Sequence, residues 1–217
     1  MIREWVEDIR IKTKDMGLGQ KAEYVLNYYW YHILLSVLAL GILLLGIYHI
    51  TWGKKMVEFS LVLVNQDINY KRDREICKEF AAASGIREKR IQVDSDYLLS
   101  YDDVRLDGVN ESSYEKFFFN WSCGGIDAMV IPKSFYAYCK RQGGEYADPI
   151  DLLPAAAELP AASLFWDGET CAGICADGLH IANKLKQDKT DPYLLVFPAQ
   201  IRHTDAAAQF LKYSLQL

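Results

Sequence analysis

Across residues 31–50 (YHILLSVLALGILLLGIYHI) the chain carries no Asp, Glu, Lys or Arg. A helix rising ~1.5 Å per residue crosses a ~30 Å hydrocarbon core over that length while satisfying its own backbone groups. The lack of charge on every face argues against a core helix of a soluble domain, which keeps a polar stripe. The following ITWGKK offers no A-x-A-like cleavage site, and no cysteine follows the apolar run. Both absences argue against a cleaved signal peptide or a lipid-modified N-terminus and for an uncleaved signal anchor. Concentrated positive charge is also missing, since the chain has a formal net charge of −5. Nucleic acid is therefore not expected as a partner, because phosphate binding needs a basic face.

Chemical motifs are equally scarce. There is no G-x-S-x-G elbow, and CGGID precedes a predicted strand, the wrong order for a phosphate loop. Neither a second C-x2-C pair nor a D-x-D-x-D-G calcium loop occurs, so no metal and no cofactor is expected. His180 and His203 are the histidines beyond the apolar run, and neither sits near a recognisable nucleophile; a surface role suffices for His203. The chain is read as a non-enzyme.

What is present organises into three parts. Residues 1–29 form a polar lead-in, with Ala22, Val25, Leu26 and Tyr29 at helical spacing, predicted to run straight into the span. Residues 30–52 form the transmembrane helix. Its ends carry aromatic belts (Tyr28, Tyr29, Trp30; Tyr48, Trp52), and Lys54 and Lys55 follow as a polar stop. Residues 56–217 form one outer domain. Up to Trp52 the cations Arg3, Arg10, Lys12, Lys14 and Lys21 balance Glu4, Glu7, Asp8, Asp15 and Glu23, so the negative charge lies beyond the span. The Lys/Arg bias places the N-terminus in the cytoplasm and the outer domain outside the plasma membrane, in contact with the lipid bilayer through a single pass.

Within the outer domain the predicted order is strand 57–64, helix 70–84 stopped by Gly85, and strand 90–93. An acidic loop 94–110 follows, then a helix capped by Ser112 or Ser113, strand 126–131 and helix 133–142. Alternation of this kind predicts right-handed crossovers and a parallel sheet. Beyond Asp148 come a short helix at 151–159 and a hairpin of 162–166 with 172–176 around Asp167-Gly168. Strand 193–197 and a helix from Thr204 complete the order.

Three stretches carry a resemblance: VEFSLVLVN with its helix, CGGIDAMVIPKSFYAYCKRQGGEYADPIDLLP, and DPYLLVFPAQIRHTDAAAQFLKYSL. Gly125-Ile126-Asp127-Ala128-Met129-Val130 and the phrase from Gly144 to Leu152 resemble the G-x-x-D-h-h-h strand and following segment of type II periplasmic binding proteins, the solute-binding proteins of ABC importers. The lead-in GQKAEYVLNYYWYHILL is similar to the front of uncharacterised single-pass Firmicutes membrane proteins that carry such a domain. The resemblance implies a mostly parallel three-layer α/β lobe, truncated to one lobe, in the cell envelope, with an envelope protein or transporter as partner.

Three functions are compatible with this reading. The first is a non-catalytic, membrane-anchored binding or interaction module. The second is a small-ligand receptor or transporter accessory taking a solute at the C-terminal edge of the sheet, with Asn65, Asp67, Asp94 and Pro132 as lining. The third is an envelope enzyme with two carboxylates roughly 5–10 Å apart, for which the sequence assigns no pair. Cys171 and Cys175 are a candidate local disulfide if residues 170–176 form a strand or turn, against buried thiols as the plain reading. The sequons at Asn110 and Asn120 complete the inventory, the second within a predicted helix.

Overall fold

The computed structural model describes Glu7, residues 10–12, Lys14, and residues 16–51, 56–109 and 111–217. Two compact units divide at Lys55 and Met56. Trp52, Lys54, Lys55 and Asn110, named above for the membrane boundary and the first sequon, lie outside the described residues.

The first unit is dominated by helix α1 (Leu18–Thr51). Its course is not straight: Tyr29 leaves helical geometry at φ −119°, ψ 16° and breaks the helix between polar lead-in and apolar run. Tyr29 is buried among the rings of Tyr24, Tyr28 and His32, whose centroids lie 6.3, 5.5 and 6.0 Å away. The stretch Leu26–His49, with mean hydropathy 2.2, is long and apolar enough to cross a membrane, and its most apolar window is unburied.

The second unit is a mixed α/β fold. Its strands are β1 (Phe59–Val64), β2 (Ile91–Tyr97), β3 (Ala128–Pro132), β4 (Tyr146–Ala147), β5 (Leu164–Asp167), β6 (Thr170–Cys175) and β7 (Tyr193–Pro198). Its helices are α2 (Tyr70–Ser84), α3 (Glu111–Ser122), α4 (Lys133–Arg141), the short α5 (Pro149–Leu152) and α6 (Thr204–Leu215), with 3-10 turns between β4 and β7. One sheet runs β2-β1-β3-β7-β6-β5, and β4 pairs with the far end of β7.

Only part of the sheet is parallel. β1 pairs parallel with β2 and β3, as the alternating strands and helices predicted. β7 instead enters antiparallel to β3, and β6 and β5 continue antiparallel, which corrects the mostly parallel expectation. Parallel neighbours are ordinarily joined by a crossover helix, and residues 176–192 between β6 and β7 form only 3-10 turns at Ala176–Gly178 and Ala182–Lys184, so β7 returns antiparallel beside β6.

Strand alternation sends successive side chains to opposite faces, so the sheet builds two cores. Phe59, Leu61, Leu63, Ala128, Val130, Leu195 and Phe197 face α2 and α6. There Phe59, Phe80 and Phe210 form a ring cluster with centroids 4.8–5.2 Å apart. Val62, Val64, Met129, Ile131, Leu194 and Val196 face α3 and α4, packing on Phe117, Phe135 and Cys139. Each fully buried aromatic contributes roughly 1.5–3 kcal/mol relative to exposure. Helix, sheet and helix make three layers.

Local signals explain most boundaries. The Asn69 side chain caps α2 by accepting from Arg72 N at 3.1 Å, and Gly85 closes it at φ 76°. Helix α3 begins at Glu111, so Ser112 and Ser113 sit in its first turn rather than before it. Strand β2 runs four residues past its expected end because its polar residues have tertiary partners. Ser95 donates to Asp73 of α2 at 2.6 Å, and Asp94 receives Lys116 of α3 at 2.9 Å. The register shifts between Val62 and Val64, where a bulge sets Ser95 and Asp96 of β2 against the single residue Leu63 of β1.

Candidate functional site

In an open α/β sheet ligands sit outside the carboxyl ends of the parallel strands. Here that edge is formed by the ends of β1 and β3, the start of antiparallel β7 and the first turns of α2 and α4. Asn65 and Pro132 do stand at this edge. Asn65 is buried in a left-handed conformation (φ 55°), and Pro132, the last residue of β3, is paired with Tyr193. Asp67 lies just beyond, its side chain 84% exposed and 3.9 Å from Lys186 Nζ. Asp94 is not at the edge. With β2 extended to Tyr97 it sits inside the strand, under α3, as the partner of Lys116. The four residues therefore do not converge on one space.

Polar groups at this edge are spent on one another. Asn65 Nδ2 donates to Leu99 O at 3.1 Å, and Leu99 N donates to Asn65 Oδ1 at 2.7 Å. Tyr193 hydroxyl donates to Asn65 O at 2.7 Å. Gln66, fully buried, repeats the pattern with Lys186: Nε2 donates to the carbonyl at 3.2 Å, and the amide donates to Oε1 at 2.6 Å. At the start of α4, where an anion is favoured, the Asp191 carboxylate already accepts from Ser134 N at 2.9 Å and from the Ser134 hydroxyl. Tyr101 hydroxyl shares a hydrogen bond with Ser134 Oγ at 2.7 Å. Burial pushes the Tyr101 phenol up to about 12 and raises that of Tyr193, so both work as neutral hydrogen-bonding groups. The sequence reading missed Gln66, Ser134, Asp191 and Tyr193. The available signal was position alone, polar residues directly flanking the ends of strong strands.

The opposite edge, at the start of the parallel strands, has a different construction. Asp127, 1% exposed, opens β3. Its carboxylate accepts from Ser60 N at 2.9 Å and His203 N at 3.1 Å, and His203 Nδ1 lies 3.1 Å from Oδ2. One buried carboxylate thereby ties β1, β3 and the segment entering α6. His203 is thus not the free surface residue expected. It lines a groove of about 610 Å³ with Glu58, Ser84, Arg202 and Asp205. A second groove of about 430 Å³ lies on the other helical layer, where α3 and α4 end, lined by Phe118, Trp121, Gln142, Glu145 and Gln200.

The cysteines are free. Cys171 and Cys175 both lie on β6, where four steps of extended chain put them ~13 Å apart. A disulfide needs Cα atoms within about 7 Å, so the candidate pairing is corrected. Burial pushes the Cys77 thiol up to about 11 and that of Cys139 up to about 12. Among the described residues no group of three or more His, Cys, Asp or Glu is placed to hold a metal ion. In the acidic segment Asp94 pairs with Lys116 and Asp102 with Arg141. Asn120, in the second sequon, lies within α3 and donates to Tyr97 hydroxyl at 3.1 Å. Comparison of the chain with protein-family models, curated proteins and solved structures gave no match.

Proposed function

We propose that the chain is a membrane-anchored, non-catalytic binding or interaction module, held at the plasma membrane by α1 with its α/β domain outside the cell. The observation that carries this reading is the sealed carboxyl edge of the sheet. Asn65, Gln66, Ser134 and Asp191, the polar groups best placed to meet a solute, bond to the chain itself. A receptor would have to break those bonds first, at roughly 1–3 kcal/mol for each buried group left unpaired. The exposed, uncharged stretch Leu26–His49 supports anchoring in lipid, and the Lys/Arg bias of the lead-in supports the outward orientation. The return of β7 and α6 to the first strands supports a truncated lobe of the solute-binding type, as the sequence resemblance implies.

The receptor reading keeps one observation in its favour. Arg72, 7% exposed in the first turn of α2, donates from Nε to Asp73 Oδ1 at 3.0 Å, but its buried Nη2, 3.0 Å from the same oxygen, makes no hydrogen bond of its own. Two measurements separate the readings. Protease shaving of intact cells should remove the α/β domain, and crosslinking through that domain should capture an envelope protein. Thermal-shift screening with amino acids, sugars and oligopeptides should leave the melting temperature unchanged. Saturable stabilisation by a solute, abolished by Asn65→Ala or Arg72→Ala, would replace the module with a receptor. Protection of the domain until lysis would overturn the orientation.

A further inference from the structure

The groove where α3 and α4 end combines three features that favour one class of ligand. Two aromatic rings, Phe118 and Trp121, line it, near-parallel with centroids 6.2 Å apart. Glu145 is the one ionisable residue among the described residues of its lining, beside the neutral Ser122, Gln142 and Gln200. The carbonyl ends of both helices also approach it, and a helix C-terminus carries partial negative charge.

Cations on the adjoining elements are drawn elsewhere. Lys140 lies 3.4 Å from Asp167, Arg141 pairs with Asp102, and Arg202 donates to Cys123 O at 2.8 Å, capping α3. That cap offsets part of the α3 carbonyl end, so Glu145 and the end of α4 supply most of the remaining field. The platform is also held in place. A Cβ on Gly144 would lie 2.7 Å from Trp121 Cη2 and 2.9 Å from Cys139 O, so the indole edge rests on a backbone that only glycine leaves open. Trp121 packs further against Phe117 and Tyr146 at 5.7 and 5.3 Å.

Two aromatic rings and a carboxylate in one lining, with no cation among its described residues, suit an organic cation through cation–π attraction and charge pairing. We infer that this groove binds an alkylammonium group, supplied either by a free amine or by a lipid headgroup. This goes beyond the interaction module proposed above and uses the other end of the sheet, so either reading can fail without the other.

The test uses the full chain in nanodiscs of phosphatidylglycerol, titrated with choline and followed by calorimetry. Choline should bind saturably, and its uncharged isostere, with carbon in place of nitrogen, should not. Glu145→Gln, at an exposed position and checked for an unchanged circular dichroism spectrum, should weaken choline by about tenfold. Trp121→Leu should weaken it as much or more. Repeating the titration in phosphatidylcholine nanodiscs assigns the source: a right-shifted curve identifies the headgroup as competitor, and an unchanged curve identifies a free amine. Absence of saturable choline binding, equal binding of the isostere, or an unaltered affinity in Glu145→Gln would overturn the inference.

Discussion

The two edges of the sheet use polar residues in opposite ways. At the carboxyl edge, Asn65, Gln66 and Asp191 each close a loop or helix end onto the strands, and the pockets that line the helix ends leave them out. At the amino edge one carboxylate, Asp127, gathers three elements, and grooves of about 430 and 610 Å³ open beside it on the two helical layers. In this molecule the edge that an open α/β sheet ordinarily offers to ligands is built as structure. Among the described residues, the grooves of about 430 and 610 Å³ lie at the opposite edge.

The sharpest way to break this contrast is Asp127→Ala. It would strip the partner from two buried backbone donors and from His203, with an expected loss of about 3 kcal/mol in urea unfolding. Asn65→Ala comes next, at about 2 kcal/mol, because it removes two buried hydrogen bonds and puts alanine at a positive φ. Were Asn65→Ala neutral, the carboxyl edge would not be sealed by that residue.

A smaller effect lies on the α2–α6 layer, away from both edges. The Lys184 ammonium donates to Glu79, as does Tyr213 hydroxyl at 2.9 Å, and together they hold the Glu79 carboxyl below its ordinary value of 4.5. A carboxyl lowered by folding adds stability above its unfolded pKa and loses it as pH falls through the folded one. Glu79→Gln should therefore destabilise by a few tenths of a kcal/mol at neutral pH, since the site is screened by water. The difference should vanish in acid, below the ordinary glutamate range. Smallest of all, Asp67→Ala should change stability by less than about 0.5 kcal/mol, as expected for an exposed side chain with one loose ion pair.

Legibility in the sequence followed the reach of each interaction. Helix α2 was readable from its apolar spacing and from Gly85 after it, a local stop; the Asn69 cap at its start was not read from the sequence. The β5–β6 hairpin was readable from Asp167-Gly168, with Gly168 at φ 69°. The direction of β7 was not, because it depends on the kind of connection that leads to it. Nor was the length of β2, since Asp94-Ser95-Asp96 reads as a loop until Asp73 and Lys116 are supplied by other elements. The break at Tyr29 has no proline or glycine to announce it. Of the four expected lining residues, Asn65 and Pro132 stand at the carboxyl edge, where Asn65 is tied to Leu99. The sequence rule locates strand ends but not what neighbouring loops do with them.

Amide hydrogen exchange at Leu99, Ser134 and Lys186 tests the sealed edge most directly, since these are the N–H groups held by Asn65, Asp191 and Gln66. In the protein without added solute, all three should exchange slowly, alongside the strand amides of β1 and β3. Exchange at the rate of an open loop, slowed only when a solute is added, would mean that this edge is an unfilled binding site.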